Sequence, residues 1–202
     1  PHGFDIKIKK KIPIAGGMAG GSTDAAAVMR GINEICNLGA TTERLMQLGV
    51  KLGADIPFCI QQKPALAEGI GEILTPVKGL WNELHILLVN PNICVSTKEI
   101  YQRIDSGNRF NSVDNKTLIL ALANRDITKI SANMKNVMEE VTNEICPQVG
   151  EIIDTLKSNG AVTALMSGSG ATCYGVFTDK SDAKKAQDQF KNYFTALTHP
   201  LE

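Results

Sequence analysis

The chain has 202 residues, 43% hydrophobic and 21% charged, a balance that suits a globular protein with a sizeable core and argues against disorder. Its 21 basic and 21 acidic residues cancel to a formal net charge of zero, which disfavours a general nucleic-acid surface but leaves room for one small anionic ligand. No apolar run approaches the roughly 20 residues of a helical membrane span, and the opening residues have no signal-peptide pattern, so a cytoplasmic location is expected.

In the first stretch, FDIKIKKKIPI, apolar Phe4, Ile6 and Ile8 alternate with Asp5, Lys7 and Lys9. Period two predicts a strand with one wet face, ended by Pro13. Gly16 to Gly21 read as a loop. Ser22, Thr23 and Asp24 suit a helix N-cap or first turn. Ala25, Val28, Ile32 and Ile35 then recur along one helical face until Gly39. Thr41 or Thr42 opens a second helix, with Leu45, Leu48 and Leu52 inward and Gly53 as its stop. ADIPFCI reads as a short buried strand or a loop-to-strand junction. PALAEGIGEILTPV reads as two strand-like pieces bent at Gly69 and Gly71.

Pro76, Gly79 and Asn82 then fall close together. A domain boundary is expected there, separating residues 1–80 from 81–202. ELHILLVNP is a buried strand stopped by Pro91. Helices are expected over 97–103, 115–124, 126–141 and 148–158. AVTALMSG and ATCYGVFT are two strands joined by GSG, and a last helix over 181–194 takes Ser181 as N-cap. Strand, helices, strand, strand, helix is the order of a ferredoxin-like α+β sandwich of the split βαβ kind.

The five cysteines, Cys36, Cys59, Cys94, Cys146 and Cys173, are odd in number, and none forms the two-residue spacing of a zinc or redox motif. They read as buried thiols in a reducing compartment. His2, His85 and His199 are scattered and suggest no metal cluster.

The stretch KKIPIAGGMAGGSTDAAA, residues 10–27, has the grammar of a phosphate cradle: strand, glycine loop, hydroxyl cap, helix. Glycines let a ligand approach the backbone, and a helix start adds open N–H groups and the positive end of its dipole. Gly16 and Gly21 have Walker spacing, but Ser22 stands where that loop needs lysine. No alignment of Gly16, Gly17, Gly20 and Gly21 makes the dinucleotide fingerprint. A protein-kinase loop would lie between two strands and not open a helix. A purely structural glycine turn is the competing reading. Lys9, Lys10 and Lys11 offer basic support or form an ordinary solvated strand edge.

PIAGGMAGGSTDAA resembles the proline-x-x-x-glycine-x-x-glycine-glycine-serine-serine signature of the GHMP small-molecule kinases. LGADIPFCI (52–60) with ALAEGIGEILTPV (65–77), and MSGSGATCYGVF (166–177), resemble two further segments of that family in order. The resemblance implies an S5-like N-terminal α/β domain, present in part, and a C-terminal ferredoxin-like α+β sandwich. The pairing of Gly-Ala-Asp-Ile-Pro-Phe with Ala-Glu-Gly-Ile-Gly-Glu is most similar to the branch acting on 4-diphosphocytidyl-2-C-methyl-D-erythritol. It implies ATP-dependent phosphorylation of that substrate's 2-hydroxyl, with Mg2+, in non-mevalonate isoprenoid biosynthesis.

On this resemblance Pro13, Ile14, Ala15, Gly16, Gly17, Met18, Ala19, Gly20, Gly21, Ser22 and Thr23 wrap the ATP phosphates. Ser22 or Thr23 approaches the magnesium ion. Asp55 matches the aspartate that takes the substrate hydroxyl proton. Its apolar neighbours Ala54 and Ile56 suit a raised pKa, and the alternative role is to cap a turn before Pro57. Ile70 matches a position lining the substrate pocket, Thr97 a hydroxyl near nucleotide and substrate, and Tyr101 an aromatic near the substrate. An N-cap and a core aromatic are the alternatives for Thr97 and Tyr101. Asp24 reads as a first-turn residue facing away from the phosphates, and Glu68 and Glu72 as structural. Gly168, Ser169 and Gly170 let a turn approach the loop or the substrate, or simply make a hairpin.

The family's lysine that pairs with the catalytic aspartate, and its tyrosine–histidine pair for cytosine, have no counterpart here. Sequence before Pro1 is therefore expected, and the chain alone is expected to be inactive. The closing Leu201-Glu202 is expected to be a cloning remnant. Two rival readings remain: a homoserine- or mevalonate-type kinase of the same family, and a non-catalytic nucleotide-binding module.

Overall fold

The computed structural model describes residues 3–107 and 113–201, so His2 lies outside the described residues. The chain folds into two compact units. One comprises Pro1–Ile14, Ala19–Gln62 and Ala67–Leu74, the other Ala15–Met18, Lys63–Leu66 and Thr75–Glu202.

The first unit is built on helices α1 (Gly20–Ile35), α2 (Thr42–Gly49) and α3 (Ile56–Gln61). Ala26, Leu45, Ile56 and Ile60 form its core, with Ala25, Met29 and Met46 packed against them. Asn33 closes the turn between α1 and α2: its amide nitrogen donates to Ala40 O (3.1 Å) and its oxygen accepts from Ala40 N (2.9 Å). Thr41 caps α2 by accepting from Arg44 N. Gly49 lets α2 sit close on α3, since a Cβ there would come within 2.8 Å of Ile56 Cγ2.

Four expectations for this unit are corrected. Residues 4–12 form no strand, and Phe4, Ile6 and Ile8 are exposed. Alternation alone does not make a strand, and no neighbouring strand among the described residues supplies a ladder. ADIPFCI is the helix α3, with Pro57 in its first turn, where a missing N–H costs nothing. Helix α1 starts at Gly20, inside the stretch read as loop, which puts Asp24 beyond the first turn. Helix α2 ends before Leu52, which is 71% exposed, not inward.

Strands β1 (Ala65–Glu68) and β2 (Ile73–Pro76) pair as a two-stranded sheet around the expected bends at Gly69 (φ 70°) and Gly71 (φ 112°). Positive φ is the reason glycine stands at both.

The second unit continues with β3 (His85–Asn90), α4 (Thr97–Gly107), α5 (Asn115–Ala123), α6 (Ile127–Asn133), α7 (Glu139–Ile145) and α8 (Gln148–Ser158). It ends with β4 (Thr163–Met166), β5 (Cys173–Phe177), α9 (Lys180–Gln187) and β6 (Phe194–Thr198). The sheet order is β4-β5-β3-β6, and every adjacent pair is antiparallel. With a helical crossover after β3 and another after β5, this is the ferredoxin-like arrangement. Leu87 and Val89 of β3, Phe177 of β5, and Val149, Ile152 and Leu156 of α8 fill its core.

Here the expected helix over 126–141 is two helices. Asn136 interrupts it by donating to Met166 O and Gly168 O (both 2.8 Å) while accepting from Met138 N (2.9 Å). The last helix is capped by Asp179, which accepts from Ser181 N at 2.6 Å, and stops at Gln187. Residues 194–198, of which only Phe194 fell within the expected helix, are the edge strand β6 on β3. None of the cysteines forms a disulfide; Cys146 and Cys173 are buried, whereas Cys94, expected inside, is exposed. Burial, with Glu139 and Cys146 nearby, pushes the Cys173 thiol far above the ordinary range.

Candidate functional site

In the first unit, the start of α1 is open. Ala19 is its N-cap, in a left-handed conformation (φ 48°), and no side chain caps the helix. The first intrahelical bond runs from Thr23 N to Ala19 O at 2.9 Å. The N–H groups of Gly20, Gly21 and Ser22 therefore lie outside the helix ladder. A Cβ at Gly21 would meet no atom within 4 Å, and its φ is not positive. Neither packing nor backbone conformation requires glycine at this position.

Around this helix start the side chains have definite partners. Thr23 Oγ1 donates to Ala19 O (3.0 Å) and lies 3.6 Å from Cys59 Sγ of α3. Lys10 Nζ donates to Asp24 Oδ2 at 2.6 Å, a partly buried ion pair. Asp24 is thus paired with a cation, and Lys10 is not part of a merely solvated edge. A Cβ at Gly20 would come within 3.1 Å of Lys10 Nζ, so this ammonium lies beside the first turn of α1.

Asp55 stands at the N-cap position of α3 but makes no side-chain cap bond. Its carboxylate is therefore not spent on the capping role. The apolar setting expected for it is absent, because the residue is exposed. Asp55 O accepts from Cys59 N (3.2 Å), which puts Asp55 one helical turn from the thiol that touches Thr23. The Ile70–Gly71 turn lies against the neighbouring Ala54: a Cβ at Gly71 would be 3.5 Å from Ala54 O. Ile70 is 72% exposed, and its N–H donates to Glu72 Oε2 (2.7 Å), the structural role expected of Glu72.

In the second unit, residues 15–18 are bound to the turn after β4. Thr172 N donates to Gly16 O (3.2 Å), and Ser167 Oγ donates to Gly17 O (2.8 Å). Gly17 has φ 76°, and a Cβ there would overlap Ser167 O. Gly168, Ser169 and Gly170 thus serve a turn in contact with the glycine loop. Buried side chains hold that turn: Asn90 Nδ2 donates to Thr172 Oγ1 (2.8 Å), and Thr142 Oγ1 donates to Ser169 O (3.3 Å). Thr97 Oγ1 and Ser169 Oγ share a 2.7 Å hydrogen bond, while Ser96 supplies the hydroxyl that accepts from Glu99 N at the start of α4. Tyr101 is 51% exposed, so it is not a core aromatic.

Sequence reasoning missed Ser167, Thr172, Asn90 and Asn136. One visible signal was Asn90, a polar residue closing an otherwise apolar strand; the rest depend on contacts distant in the chain. Among the described residues, no three or more His, Cys, Asp or Glu side chains assemble as a metal site, and no helix is long and apolar enough to cross a membrane.

Comparison with known proteins agrees with this architecture. The model of the GHMP kinases N terminal domain matches residues 2–63, and that of the GHMP kinases C terminal region matches residues 118–196. The chain is 46% identical to 4-diphosphocytidyl-2-C-methyl-D-erythritol kinase of Geobacter sp. (strain M21), over 98% of this chain and 70% of that protein. It is 45% identical to the protein of that name from Clostridioides difficile (strain 630), over 90% of this chain and 61% of that protein. For the Clostridium perfringens (strain SM101 / Type A) protein of that name, identity is 44% over 96% of this chain and 67% of that protein. The chain therefore spans 61–70% of the length of these relatives. A crystal structure of 4-(cytidine 5'-diphospho)-2C-methyl-D-erythritol kinase superposes with TM-score 0.77 at 24% identity, over 96% of this chain and 70% of that one. The homoserine kinase of Cytophaga hutchinsonii superposes with TM-score 0.69 at 15% identity, over 93% of this chain and 66% of that one. These two likenesses bear on the fold alone. With both regions matched in chain order, and relatives above 40% identity covered over as much as 70% of their length, this chain belongs to the GHMP kinase family.

Proposed function

We propose that the protein transfers the γ-phosphoryl group of ATP to the 2-hydroxyl of 4-diphosphocytidyl-2-C-methyl-D-erythritol, as a cytoplasmic enzyme of isoprenoid biosynthesis. The observation that carries this reading is the open first turn of α1, where Gly21 leaves the backbone bare with no protein atom to fill the space. The substrate identity rests on the relatives of that name.

Phosphoryl transfer needs positioning and charge neutralisation more than covalent chemistry from the protein. On this reading Pro13–Thr23 hold the phosphates through backbone N–H groups and the helix dipole. Asp55, whose carboxylate is not spent on capping α3, accepts the proton of the attacking hydroxyl. The resemblance assigns Ile70, Thr97 and Tyr101 to the acceptor. Mg2+ supplies charge neutralisation when it arrives with the nucleotide, and such an ion needs only one or two protein ligands beside the phosphates. Thr23 Oγ1 donates its proton to Ala19 O and keeps its lone pairs, so the hydroxyl of either Ser22 or Thr23 can face that ion.

The test is turnover by the protein as its gene encodes it, with ATP–Mg2+ and a panel of the cytidylyl substrate, homoserine and mevalonate. Only the first acceptor is expected to react, and Asp55→Asn is expected to lower kcat by about 10²- to 10⁴-fold with little change in ATP affinity. Selective use of homoserine or mevalonate, or near-normal turnover by Asp55→Asn, would reverse the substrate or the residue assignment respectively.

A further inference from the structure

The glycine loop contains a segment that its own sequence does not hold in shape. Ala15 (φ 54°) is a non-glycine residue in the left-handed region, a conformation that persists only when its surroundings hold it, and Gly17 (φ 76°), free to adopt many other conformations, lies in the same region. The restraint is the pair of bonds to Gly16 O and Gly17 O from the turn after β4. Both bonds engage carbonyls, and both donors belong to one turn.

A trans peptide is planar, with its C=O and the following N–H pointing in opposite directions. Fixing Gly16 O therefore aims Gly17 N–H away from the turn, and fixing Gly17 O does the same for Met18 N–H. Two consecutive N–H groups set in this way are the kind of concavity that receives an anion. One of the two donors is a backbone N–H and cannot be deleted by a side-chain change. The other is the Ser167 hydroxyl, 150 residues from its acceptor.

We propose that Ser167 is a positioning residue of the phosphate loop, acting through Gly17 O to aim the Met18 N–H at a nucleotide phosphate. The inference rests on the kinase reading above. Ser167 need not touch the nucleotide. Asn136, which grips Met166 O and Gly168 O on either side of Ser167, and Asn90, which holds Thr172, keep the turn in place.

The test is Ser167→Ala in the protein as its gene encodes it, with three readouts. Amide hydrogen exchange over residues 13–19 is expected to speed up, while the melting temperature stays near that of the wild type. ATP–Mg2+ and ADP affinities, by calorimetry, are expected to weaken by roughly three- to tenfold, the range for one lost hydrogen bond. KM for the phosphoryl acceptor is expected to stay unchanged. Unaltered exchange over 13–19, unaltered nucleotide affinity, or an equal loss for acceptor and nucleotide would each overturn the inference. A wild-type protein that binds no ATP would instead overturn the kinase reading, and this inference with it.

Discussion

Replacing Gly21 with alanine separates a glycine kept for packing from one kept for a ligand. Gly21 is the second residue of α1, its φ is not positive, and a Cβ built there meets nothing within 4 Å. Within the protein the substitution is harmless. Alanine is the better helix former by up to about 1 kcal/mol, which at this chain length raises the melting temperature by about 2–4 °C. If a phosphate oxygen approaches the first turn of α1, the new methyl group stands in its path. Losing one charge-assisted hydrogen bond costs about 1.5–3 kcal/mol, or roughly 10- to 150-fold in affinity. Scanning calorimetry and titration with ATP–Mg2+ on the same sample measure both effects, which have opposite signs. A Gly21→Ala protein that melts higher and binds ATP as tightly as the wild type refutes phosphate approach at this turn.

Gly17→Ala should do the reverse of a silent change: a Cβ overlapping Ser167 O, together with φ 76°, is expected to destabilise the second unit by about 2–4 kcal/mol, read by urea denaturation. A midpoint equal to that of the wild type would show that the loop lies elsewhere. Hydrogen bonds from the Ser181 hydroxyl and N–H hold the Asp179 carboxyl below the usual aspartate range. Because its folded pKa is depressed, the stabilisation is present above the unfolded value near 3.9 and is lost as pH falls through the folded value. Asp179→Asn, which still caps but does not titrate, should therefore shrink the loss of melting temperature between about pH 5 and pH 2. Parallel pH profiles for the two proteins would contradict this. Cys173 should resist iodoacetamide at pH 8 until denaturant is added, since burial leaves almost no thiolate; rapid native labelling would argue against that burial.

Much of the fold was legible because local signals sufficed. The range expected for helix α8, 148–158, matches the structure, and the bends at Gly69 and Gly71 follow from residues that accept positive φ. The failures share a cause: the deciding contact is far away in the chain. Residues 134–138 contain no Pro or Gly to announce a break, and the break is made by Asn136 bonding carbonyls about 30 residues on. Strand β6 was hidden because Ala183, Ala186 and Phe190 keep a helical spacing past Gln187 with no stop signal. ADIPFCI is too short for periodicity to separate strand from helix, though Pro57 two residues after Asp55 was a usable helix-start cue. At the candidate site, the glycine loop could be read from composition. Its partner Ser167 could not, because nothing near either residue encodes their meeting.

The bond between Ser167 and Gly17 also orders events in time. Chains leave the ribosome from the N-terminus, so Gly17 is made 150 residues before the hydroxyl that secures it. Central strand β3 likewise waits for both β5 and β6 before its ladders are complete. A nascent or prematurely ended chain that stops short of β4 carries every glycine of the loop and none of its anchors. The glycine loop therefore gains its final shape only after Ser167 and Thr172 have been made. Interrupted synthesis yields chains with an unsecured loop.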